Sequence, residues 1–330
     1  MNKKLFLILL LIYPQLSRSE DNVDFGIWLK KFKITALAEG ISQKTINNSF
    51  KNVKFLEKVI KYDRRQPEFF EDTKTYVTKR ATRSRTLKAQ KLLIKNEKLF
   101  NDIEKKFKVE KELLLALWGV ETNFGQYVGK MDIISSLATL SFDKRRSKFF
   151  SNELIILLKL IDKEIINIDT LYGSWAGAFG NFQFMPSAIE NYAIDYDNNN
   201  KIELKKSLSD AIASAANYLN KIGWKYNSSC FQKVKLTNSI SKEYINISAK
   251  KINNYLSIGE WKKKGIVDIG MLNDEDKAAL IIPDLAVLEG SENSPAYLVF
   301  NNYEKILKWN RSLRFGVTVC TLVNMIKDEI

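Results

Sequence analysis

The chain has 330 residues, of which 52 are lysine or arginine and 38 are aspartate or glutamate, and its formal net charge is +14. It contains no histidine, which excludes serine and cysteine nucleophiles that depend on an imidazole base, and zinc sites of the HExxH type. With 45% hydrophobic residues but only 14 glycines and 5 prolines, the composition favours a compact, mainly helical protein over a disordered chain or a turn-rich all-β fold.

The first predicted element is a secretory signal peptide over residues 1–19. Two lysines precede an apolar run at 5–12, and cleavage is expected between Ser19 and Glu20. The run is shorter than the ~20 apolar residues of a membrane span, and no cysteine follows it to carry a lipid. We therefore expect an exported, periplasmic protein, with a buried N-terminal helix as the alternative. A cationic exported protein suits an anionic partner such as cell-wall polymer, nucleic acid or a membrane surface.

Helical periodicity predicts the next two segments. Residues 20–110 form a helical N-terminal region, and 111–227 form the catalytic core. The strongest helix is expected at 111–124, because apolar residues recur at spacings of four, three and four from Leu113 to Phe124. Further helices are predicted at 133–140, 149–164, 210–221, 303–309 and 317–326.

The remainder of the chain is more mixed. Residues 228–294 are rich in Asn, Ser and Lys, with short β-branched pieces at 266–269 and 279–282, which predicts a small α+β insertion. Residues 295–330 are expected to form a C-terminal helical segment that completes the cleft. Cys230 and Cys320 either pair in an oxidising compartment or lie separately in the core.

One carboxyl lies on the apolar face of the strongest predicted helix. Glu121 follows Leu117 by four residues and precedes Phe124 by three, so the three share a face. Desolvation there favours the neutral, proton-donating acid that glycosidic bond cleavage needs. The alternative is a structural glutamate paired with a basic residue at the end of a buried helix. Gly125 and Gly129, which end the helix and leave the carboxyl near a loop, favour function.

Ordered motifs surround this carboxyl. They are GVETNFG at 119–125, GK at 129–130, LATLSF at 137–142, RR at 145–146, GSWAGA at 173–178, QFMPS at 183–187, DAI at 210–212, ANY at 216–218 and GW at 223–224. Together they closely resemble the membrane-bound lytic murein transglycosylase B family, glycoside hydrolase family 103. The resemblance is strong over 113–224, weaker at 309–315 and faint in the first hundred residues.

The resemblance implies a mainly α fold with a lysozyme-like catalytic core, acting on peptidoglycan between N-acetylmuramic acid and N-acetylglucosamine. The family's catalytic glutamate matches Glu121. One carboxyl suffices, because the muramyl 6-hydroxyl attacks its own anomeric carbon and leaves a 1,6-anhydro end, and no cofactor is required. The implied partner is the peptidoglycan glycan strand. Nucleic acid is not expected, since the charge lies outside any motif of that kind; encounters with cell-wall synthesis or division proteins stay open.

The resemblance also implies which residues contact substrate. They are Ser174 and Gln183 near the catalytic carboxyl, Arg145 and Arg146 toward the peptide or muramyl groups, and Tyr76, Tyr218 and Asn310 in the cleft. Structural alternatives are a turn cap for Ser174, solvated arginines and a core position for Tyr218. Aromatic side chains within the motifs are candidates for stacking on sugar rings: Trp175, Phe184, Tyr218, Trp224 and Trp309.

Three positions depart from the family pattern. Phe182 stands where a glycine is usual before Gln183, so the family pattern does not predict the backbone conformation beside Gln183. Trp309 and Phe315 stand where tyrosines are usual near the C-terminal asparagine, which removes two hydroxyls that contact substrate.

A candidate calcium loop lies between the motifs. Asp195, Asp197 and Asn199 at alternate positions, followed by Lys201, match the first half of an EF-hand-like loop. The usual turn glycine and the twelfth-position glutamate are missing. In some family members that resemble this chain, the last calcium ligand is an aspartate that matches Asp210. We therefore expect one structural ion held by the three carboxylates, the Asn199 side chain and the Lys201 carbonyl, with an Asn/Asp-rich turn as the alternative.

Three functions follow from the sequence. The first is a lytic transglycosylase. The second is a muramidase that delivers water to the same bond. The motifs place no second carboxylate to activate that water, and Asp143 stays open as one. The third is a scaffold that binds peptidoglycan without cleaving it.

Overall fold

The protein is described by a computed structural model that covers residues 16–67, 70–237, 240–286 and 294–329, with side chains from residue 24 onward. Residues 1–15 of the predicted signal peptide lie outside the described residues, and the first helix begins at Leu16. None of the helices in the described ranges combines the length and the hydropathy that a bilayer span needs.

Six α-helices lie among the described residues of the N-terminal region. They are α1 (Leu16–Ala38), α2 (Gln43–Ser49), α3 (Glu57–Arg64), α4 (Thr73–Arg80), α5 (Arg83–Lys95) and α6 (Glu97–Phe107). The side chains of Ser42, Asp72 and Thr82 each accept a backbone N–H at the start of a helix, which satisfies donors that a helix N-terminus leaves unpaired. Sequence periodicity predicted this helical region.

The central part of the chain adds five more helices. They are α7 (Lys111–Thr122), α8 (Ile133–Phe142), α9 (Ser147–Asp162), α10 (Pro186–Tyr192) and α11 (Leu208–Lys221), with a two-stranded ribbon of β1 (Met131–Asp132) and β2 (Tyr172–Gly173). Every residue of α7 from Leu113 to Gly119 is buried, because α7 packs against α5, α6 and α11. The helix that carries Glu121 is therefore central in the core.

The α+β part is a six-stranded sheet with one helix. Its elements are β3 (Phe231–Leu236), β4 (Ile245–Asn246), β5 (Leu256–Ser257), α12 (Ile258–Lys263), β6 (Ile266–Val267), β7 (Lys277–Ile281) and β8 (Ala296–Val299). The strand order is β4-β7-β8-β3-β6, and β5 also pairs with β7. Only the β4–β7 pair is parallel among these strands. A separate apolar cluster around fully buried Trp261 covers the sheet.

The predicted end of this insertion at residue 294 is wrong, because β8 at Ala296–Val299 is an inner strand of its sheet. Phe231 of β3 and Ala279 of β7 both pair with Val299 of β8. The sequence of β8 is a short, fully buried apolar run, and such a run has no alternation by which to distinguish strand from helix.

Two helices return the chain to the helical body. They are α13 (Asn301–Trp309) and α14 (Leu313–Glu329), and α14 packs against α4, α5 and α7. Cys230, just before β3, forms a disulfide with Cys320 of α14, so the alternative of two separate core cysteines is wrong. The disulfide joins the beginning of the α+β part, just before β3, to α14, which packs on α7.

Candidate active site

Glu121 lies in the last turn of α7. The predicted helix end at Phe124 moves to Thr122, because Asn123, Phe124 and Gly125 all have a left-handed backbone, with φ of 50°, 60° and 80°. The N–H of Asn123 and that of Phe124 donate back into the last turn of α7. The C-terminal end of a helix carries partial negative charge, so Glu121 lies at the negative end of the α7 dipole.

Trp309 holds the carboxyl of Glu121. Its indole Nε1–H donates to Oε1 of Glu121 over 3.0 Å. The indole also stacks on Tyr218, with ring centroids 4.9 Å apart, and Tyr218 in turn stacks on Tyr192 at 4.3 Å. The residue that replaces a usual tyrosine thus supplies a hydrogen-bond donor of its own, fixed by stacked rings.

A cavity of about 520 Å³ has Trp309, the hydrogen-bond partner of Glu121, in its lining, whereas Glu121 itself is not a lining residue. Its lining includes Arg146, Glu153, Gln183, Tyr218, Trp309 and Arg311. Burial raises the pKa of Tyr218 to about 12, with a smaller contribution from Tyr192, so its phenol is neutral at physiological pH. The phenol donates to the Lys308 carbonyl over 3.1 Å. The cavity therefore presents cations and aromatic side chains next to Trp309, the residue that binds Glu121.

Glycines bring the loop after α7 against the loop that contains Ser174. A Cβ added to Gly129, whose φ is +87°, would lie 2.0 Å from the carbonyl oxygen of Gly173, so only glycine permits this approach. Ser174 Oγ accepts the N–H groups of Ala176 and Ala178 at 3.2 and 2.9 Å. Ser174 thus does cap a turn, yet its hydroxyl proton is still available to a ligand.

Gln183 lies in a tight turn beside the same loop. Its φ is +51°, and its side-chain amide donates to the carbonyls of Val128 at 3.2 Å and Gly180 at 2.9 Å. The unusual Phe182 points into the core, where it is 3% exposed and its ring lies 6.4 Å from that of Trp118. Phe182 therefore substitutes for the usual glycine by packing inward, while Gln183 itself takes the left-handed backbone.

Asn181 is a residue of this site that the sequence did not single out. Its Oδ1 accepts the indole N–H of Trp118 at 3.0 Å, and its backbone carbonyl accepts the hydroxyl of Thr122 at 2.7 Å. Its Nδ2 donates to the Leu204 carbonyl over 3.1 Å. Asn181 therefore links the turn of Gln183 by hydrogen bonds to Trp118 and Thr122, which lie before and after Glu121 on α7. Its only sequence signal is its place between the motifs at 173–178 and 183–187.

The two arginines assigned to substrate converge on another carboxylate. Arg145 Nε lies 2.8 Å from Asp63, and Arg146 also forms an ion pair with Asp63. Asp63 is 2% exposed, and Arg64 and Asp143 extend the network. The arginines are thus not merely solvated, and Asp143, the candidate second carboxylate, is paired with Arg64.

Two other predicted cleft residues lie in the helical body. Tyr76 of α4 is 5% exposed, and the guanidinium carbon of Arg80 lies 3.7 Å from its ring centroid. Asn310 follows Trp309 directly and is half-buried, with its carbonyl accepting the N–H of Ser312 at 2.8 Å. Asn310 therefore sits beside Trp309 and Arg311, which line the cavity.

The aromatic candidates separate into two groups. Phe184 packs on Trp309 with a centroid distance of 5.2 Å and also contacts Tyr218. It therefore belongs to the group of rings around Trp309, which binds Glu121. Trp224 instead donates to Glu110 over 2.6 Å and lines a separate cavity of about 180 Å³ with Cys230. Its expected place among the sugar-stacking residues is therefore not supported. Trp175 is half-buried against the main core.

The predicted calcium residues come together. Carboxylate oxygens of Asp195, Asp197 and Asp210 lie within 4.8 Å of one another. Asp210 is fully buried and accepts the backbone N–H groups of Tyr196 and Glu203 at 2.9 and 3.0 Å. Three converging carboxylates repel one another unless a cation lies between them, and oxygen donors of this kind fit calcium.

The backbone of the loop also suits this role. Asn200, which stands at the usual glycine position, has a φ of +67° and so takes the turn that glycine normally provides. Asn199 Oδ1 accepts the N–H of Lys201 at 2.9 Å, and the backbone N–H of Asn199 donates to Asp195 at 3.1 Å. The loop is thus both an Asn/Asp-rich turn and a cluster of oxygen donors.

Comparison with known families and sequences gives two matches. The family profile described as transglycosylase SLT domain matches residues 24–324. Membrane-bound lytic murein transglycosylase B of Escherichia coli strain K12 is 43% identical over 117 residues, which is 35% of this chain. The aligned segment spans only about a third of that relative, 32% of its length.

Solved structures extend the likeness to the whole fold. SltB3 of Pseudomonas aeruginosa, determined in complex with NAG-NAM-pentapeptide, is 30% identical with a TM-score of 0.80, covering 92% of this chain and 79% of that one. Lytic transglycosylase Slt35 of Escherichia coli, determined in complex with calcium, is 24% identical with a TM-score of 0.76, covering 97% and 99%. At that lower identity the likeness shows the shared fold.

Proposed function

The chain belongs to the family of transglycosylase SLT domains, and from that premise we propose that it is a lytic transglycosylase of peptidoglycan. The substrate is the glycan strand, cut between N-acetylmuramic acid and N-acetylglucosamine with formation of a 1,6-anhydro-muramyl end. The observation that carries this proposal is the placement of Glu121 at the end of α7, held by Trp309 beside a cavity lined with aromatic and cationic groups.

The proposed mechanism uses Glu121 twice. Protonated Glu121 gives its proton to the departing glycosidic oxygen, and the ring passes through an oxocarbenium-like state assisted by the substrate's N-acetyl group. The resulting carboxylate then removes the proton of the 6-hydroxyl, which closes on the anomeric carbon. The helix terminus favours the acid, whereas the indole N–H of Trp309 stabilises the carboxylate. A group that serves as acid and then as base needs both influences.

Other residues bind and orient the strand in this proposal. Ser174 and Gln183 lie on the two loops that meet the segment after α7, where a hydroxyl and an amide can contact the N-acetyl group. The ring of Tyr218 lies between those of Tyr192 and Trp309, so both of its faces are covered and it supports Trp309, which is the candidate for stacking on a sugar ring.

The test is digestion of purified peptidoglycan sacculi followed by mass spectrometry of the released fragments. We expect anhydro-muramyl ends from the wild-type protein and none from Glu121→Gln, which keeps the shape of the side chain but removes its acid–base chemistry. Reducing ends from the wild-type protein would mean a muramidase. Binding to sacculi without any release would mean a scaffold.

We further propose that one calcium ion binds between Asp195, Asp197 and Asp210 and stabilises the fold without entering the reaction. A ligand that binds only the folded state raises the melting temperature. Calcium should therefore raise the melting temperature of the wild-type protein relative to EDTA, whereas Asp195→Asn should abolish that rise. The exposed Asp169→Asn is the matched control, and its response to calcium should equal that of the wild-type protein. An unchanged melting temperature in calcium would refute the site.

Export to the periplasm is the third proposal, supported by the apolar run at residues 5–12 and the small residue at the expected cleavage site. The protein purified from a periplasmic extract should begin at Glu20 when its N-terminus is sequenced. A mature chain that retains Met1 would contradict this.

A further inference from the structure

Three guanidinium groups meet at the carboxylate of Asp63. Its side chain is 1% exposed, and its oxygens lie 2.6 Å from Arg64 Nη1 and 2.8 Å from Arg145 Nε, with Arg146 paired to the second oxygen. Arg145 also donates to the backbone carbonyl of Asp63 over 3.1 Å. Without this buried carboxylate, three partly exposed guanidinium groups would face one another as like charges, so Asp63 determines where each guanidinium lies.

The cluster spans two parts of the chain. Asp63 and Arg64 belong to α3 of the N-terminal region, whereas Arg145 and Arg146 lie between α8 and α9. The only second carboxylate bonded to Arg64 in the described ranges is Asp143, at 2.8 Å. Three cations therefore share two anions, and one positive charge is left for a ligand.

One member of the cluster, Arg146, borders the cavity of the candidate active site. The side chains of Arg145 and Arg146 are 44% and 39% exposed although each is paired with Asp63. Arg146 lines the cavity that Gln183, Tyr218 and Trp309 also line, and Trp309 binds Glu121. A guanidinium has five N–H donors in a rigid fork, so one pair can bind Asp63 while the rest bind a second carboxylate.

We propose that Asp63 is a positioning residue that presents Arg145 and Arg146 to a carboxylate of the stem peptide on the muramyl residue. This inference rests on the proposed function, because it assigns the anion to the same glycan strand. Asp63 does not touch the substrate; it sets the orientation in which the two guanidiniums can receive a carboxylate bidentately.

Charge and position predict opposite results for Asp63→Asn, which makes the proposal testable. Removing a negative charge from a basic cluster raises its attraction for an anion, so charge alone predicts a lower KM for an anionic substrate. Loss of positioning predicts a higher KM, because the arginines separate and lose their shared orientation.

The experiment measures KM and kcat with glycan strands whose stem peptides have free carboxylates (peptide-bearing strands) and with strands whose stem-peptide carboxylates have been amidated (amidated strands). For Asp63→Asn we expect KM on peptide-bearing strands to rise on the order of tenfold, with kcat changed by less than about threefold. KM on amidated strands should stay at the wild-type value. An unchanged or lower KM, or an equal rise with both substrates, would overturn the proposal.

Two further variants separate positioning from folding. Glu71→Gln removes a carboxylate that pairs with Lys79 and Arg80 and should leave KM unchanged for both substrates. Asp63→Glu keeps the charge and moves the carboxylate by one methylene, so it remains informative if Asp63→Asn does not fold. It should raise KM selectively for peptide-bearing strands. A purely structural Asp63 would instead give a lower melting temperature with the wild-type KM.

A binding measurement keeps this inference distinct from the proposed activity. The Kd of a fluorescent muramyl-pentapeptide disaccharide is measured with Glu121→Gln and with the Glu121→Gln, Asp63→Asn double variant. We expect the double variant to bind on the order of tenfold more weakly. Equal affinities would overturn the role of Asp63 even if wild-type protein cleaves sacculi, whereas weaker binding without any cleavage would refute the activity alone.

Discussion

Among single residues, the proposed chemistry depends most on the hydrogen bond that Trp309 donates to Glu121. Trp309→Phe keeps a ring on Tyr218 but removes the donor that orients the carboxyl. A hydrogen bond to a charged group contributes roughly 1.5–3 kcal/mol, so kcat/KM on sacculi should fall by about tenfold or more.

A matched control exists for this substitution. Trp224 is also half-buried and also donates its indole N–H to a glutamate, Glu110, at 2.6 Å, but in a different cavity. Trp224→Phe should leave kcat/KM near the wild-type value. Equal activity in the two variants would show that the bond to Glu121 has no part in the reaction.

Tyr218 gives the protein a predictable response to alkaline pH. Burial raises the pKa of its phenol to about 12, above the ordinary value of 10.0, so the folded protein holds this proton more tightly than the unfolded chain. The resulting stabilisation is complete below pH 10 and is lost as pH rises toward 12. Tyr218→Phe should therefore lose less unfolding free energy between pH 9 and about 11.5 in urea titrations. Identical losses would contradict the burial of this phenol.

The two loops that meet beside α7 depend on Gly129 at the scale of structural elements. Gly129→Ala would place a Cβ 2.0 Å from the Gly173 carbonyl oxygen, so the Ser174 loop must move. We expect a loss of at least about 2 kcal/mol in unfolding free energy and a strong fall in activity.

The substitution Gly40→Ala is a control that introduces similar backbone strain without a steric clash. The φ of Gly40, +83°, is similar, but a Cβ there meets nothing within 4 Å. Gly40→Ala should cost only about 1 kcal/mol in urea denaturation and leave activity intact. If Gly129→Ala were no worse than Gly40→Ala, the close approach of the two loops would be refuted.

The disulfide between Cys230 and Cys320 acts on the whole molecule, since it closes a loop with a sequence separation of 90 residues. Loop-closure entropy predicts a stabilisation of about 4–5 kcal/mol. Cys320→Ser should lower the melting temperature, and a reducing agent should lower that of the wild-type protein but not that of the variant. Insensitivity of the wild-type protein to reduction would contradict the bond.

The sequence predicted the whole-molecule architecture well, because that architecture depends on local patterns. The mainly α, lysozyme-like fold is confirmed by the solved structures, and the resemblance to the lytic murein transglycosylase B family is confirmed by the matches. The helix that carries Glu121 was predicted because its apolar periodicity is strong. Its end was misplaced by two residues, because Asn123 and Phe124 already adopt the left-handed backbone that was expected only at Gly125.

Contacts between distant parts of the chain could not be predicted. Trp309 meets Glu121 across 188 residues, and Asn181 meets Trp118 across 63. Asp63 resembles any surface aspartate of a polar helix, and its burial becomes visible only when Arg145 and Arg146 are folded onto it. Each of these depends on tertiary packing and not on spacing along the chain.

We propose that the substrate's own 6-hydroxyl, and not water, attacks the anomeric carbon after Glu121 has protonated the departing glycosidic oxygen. Digestion of sacculi in water enriched in ¹⁸O tests it most directly. We expect mass spectrometry to find anhydro-muramyl ends without ¹⁸O from the wild-type protein and no such ends from Glu121→Gln. Reducing muramyl ends that carry ¹⁸O would contradict it, because the label enters only when water is the nucleophile.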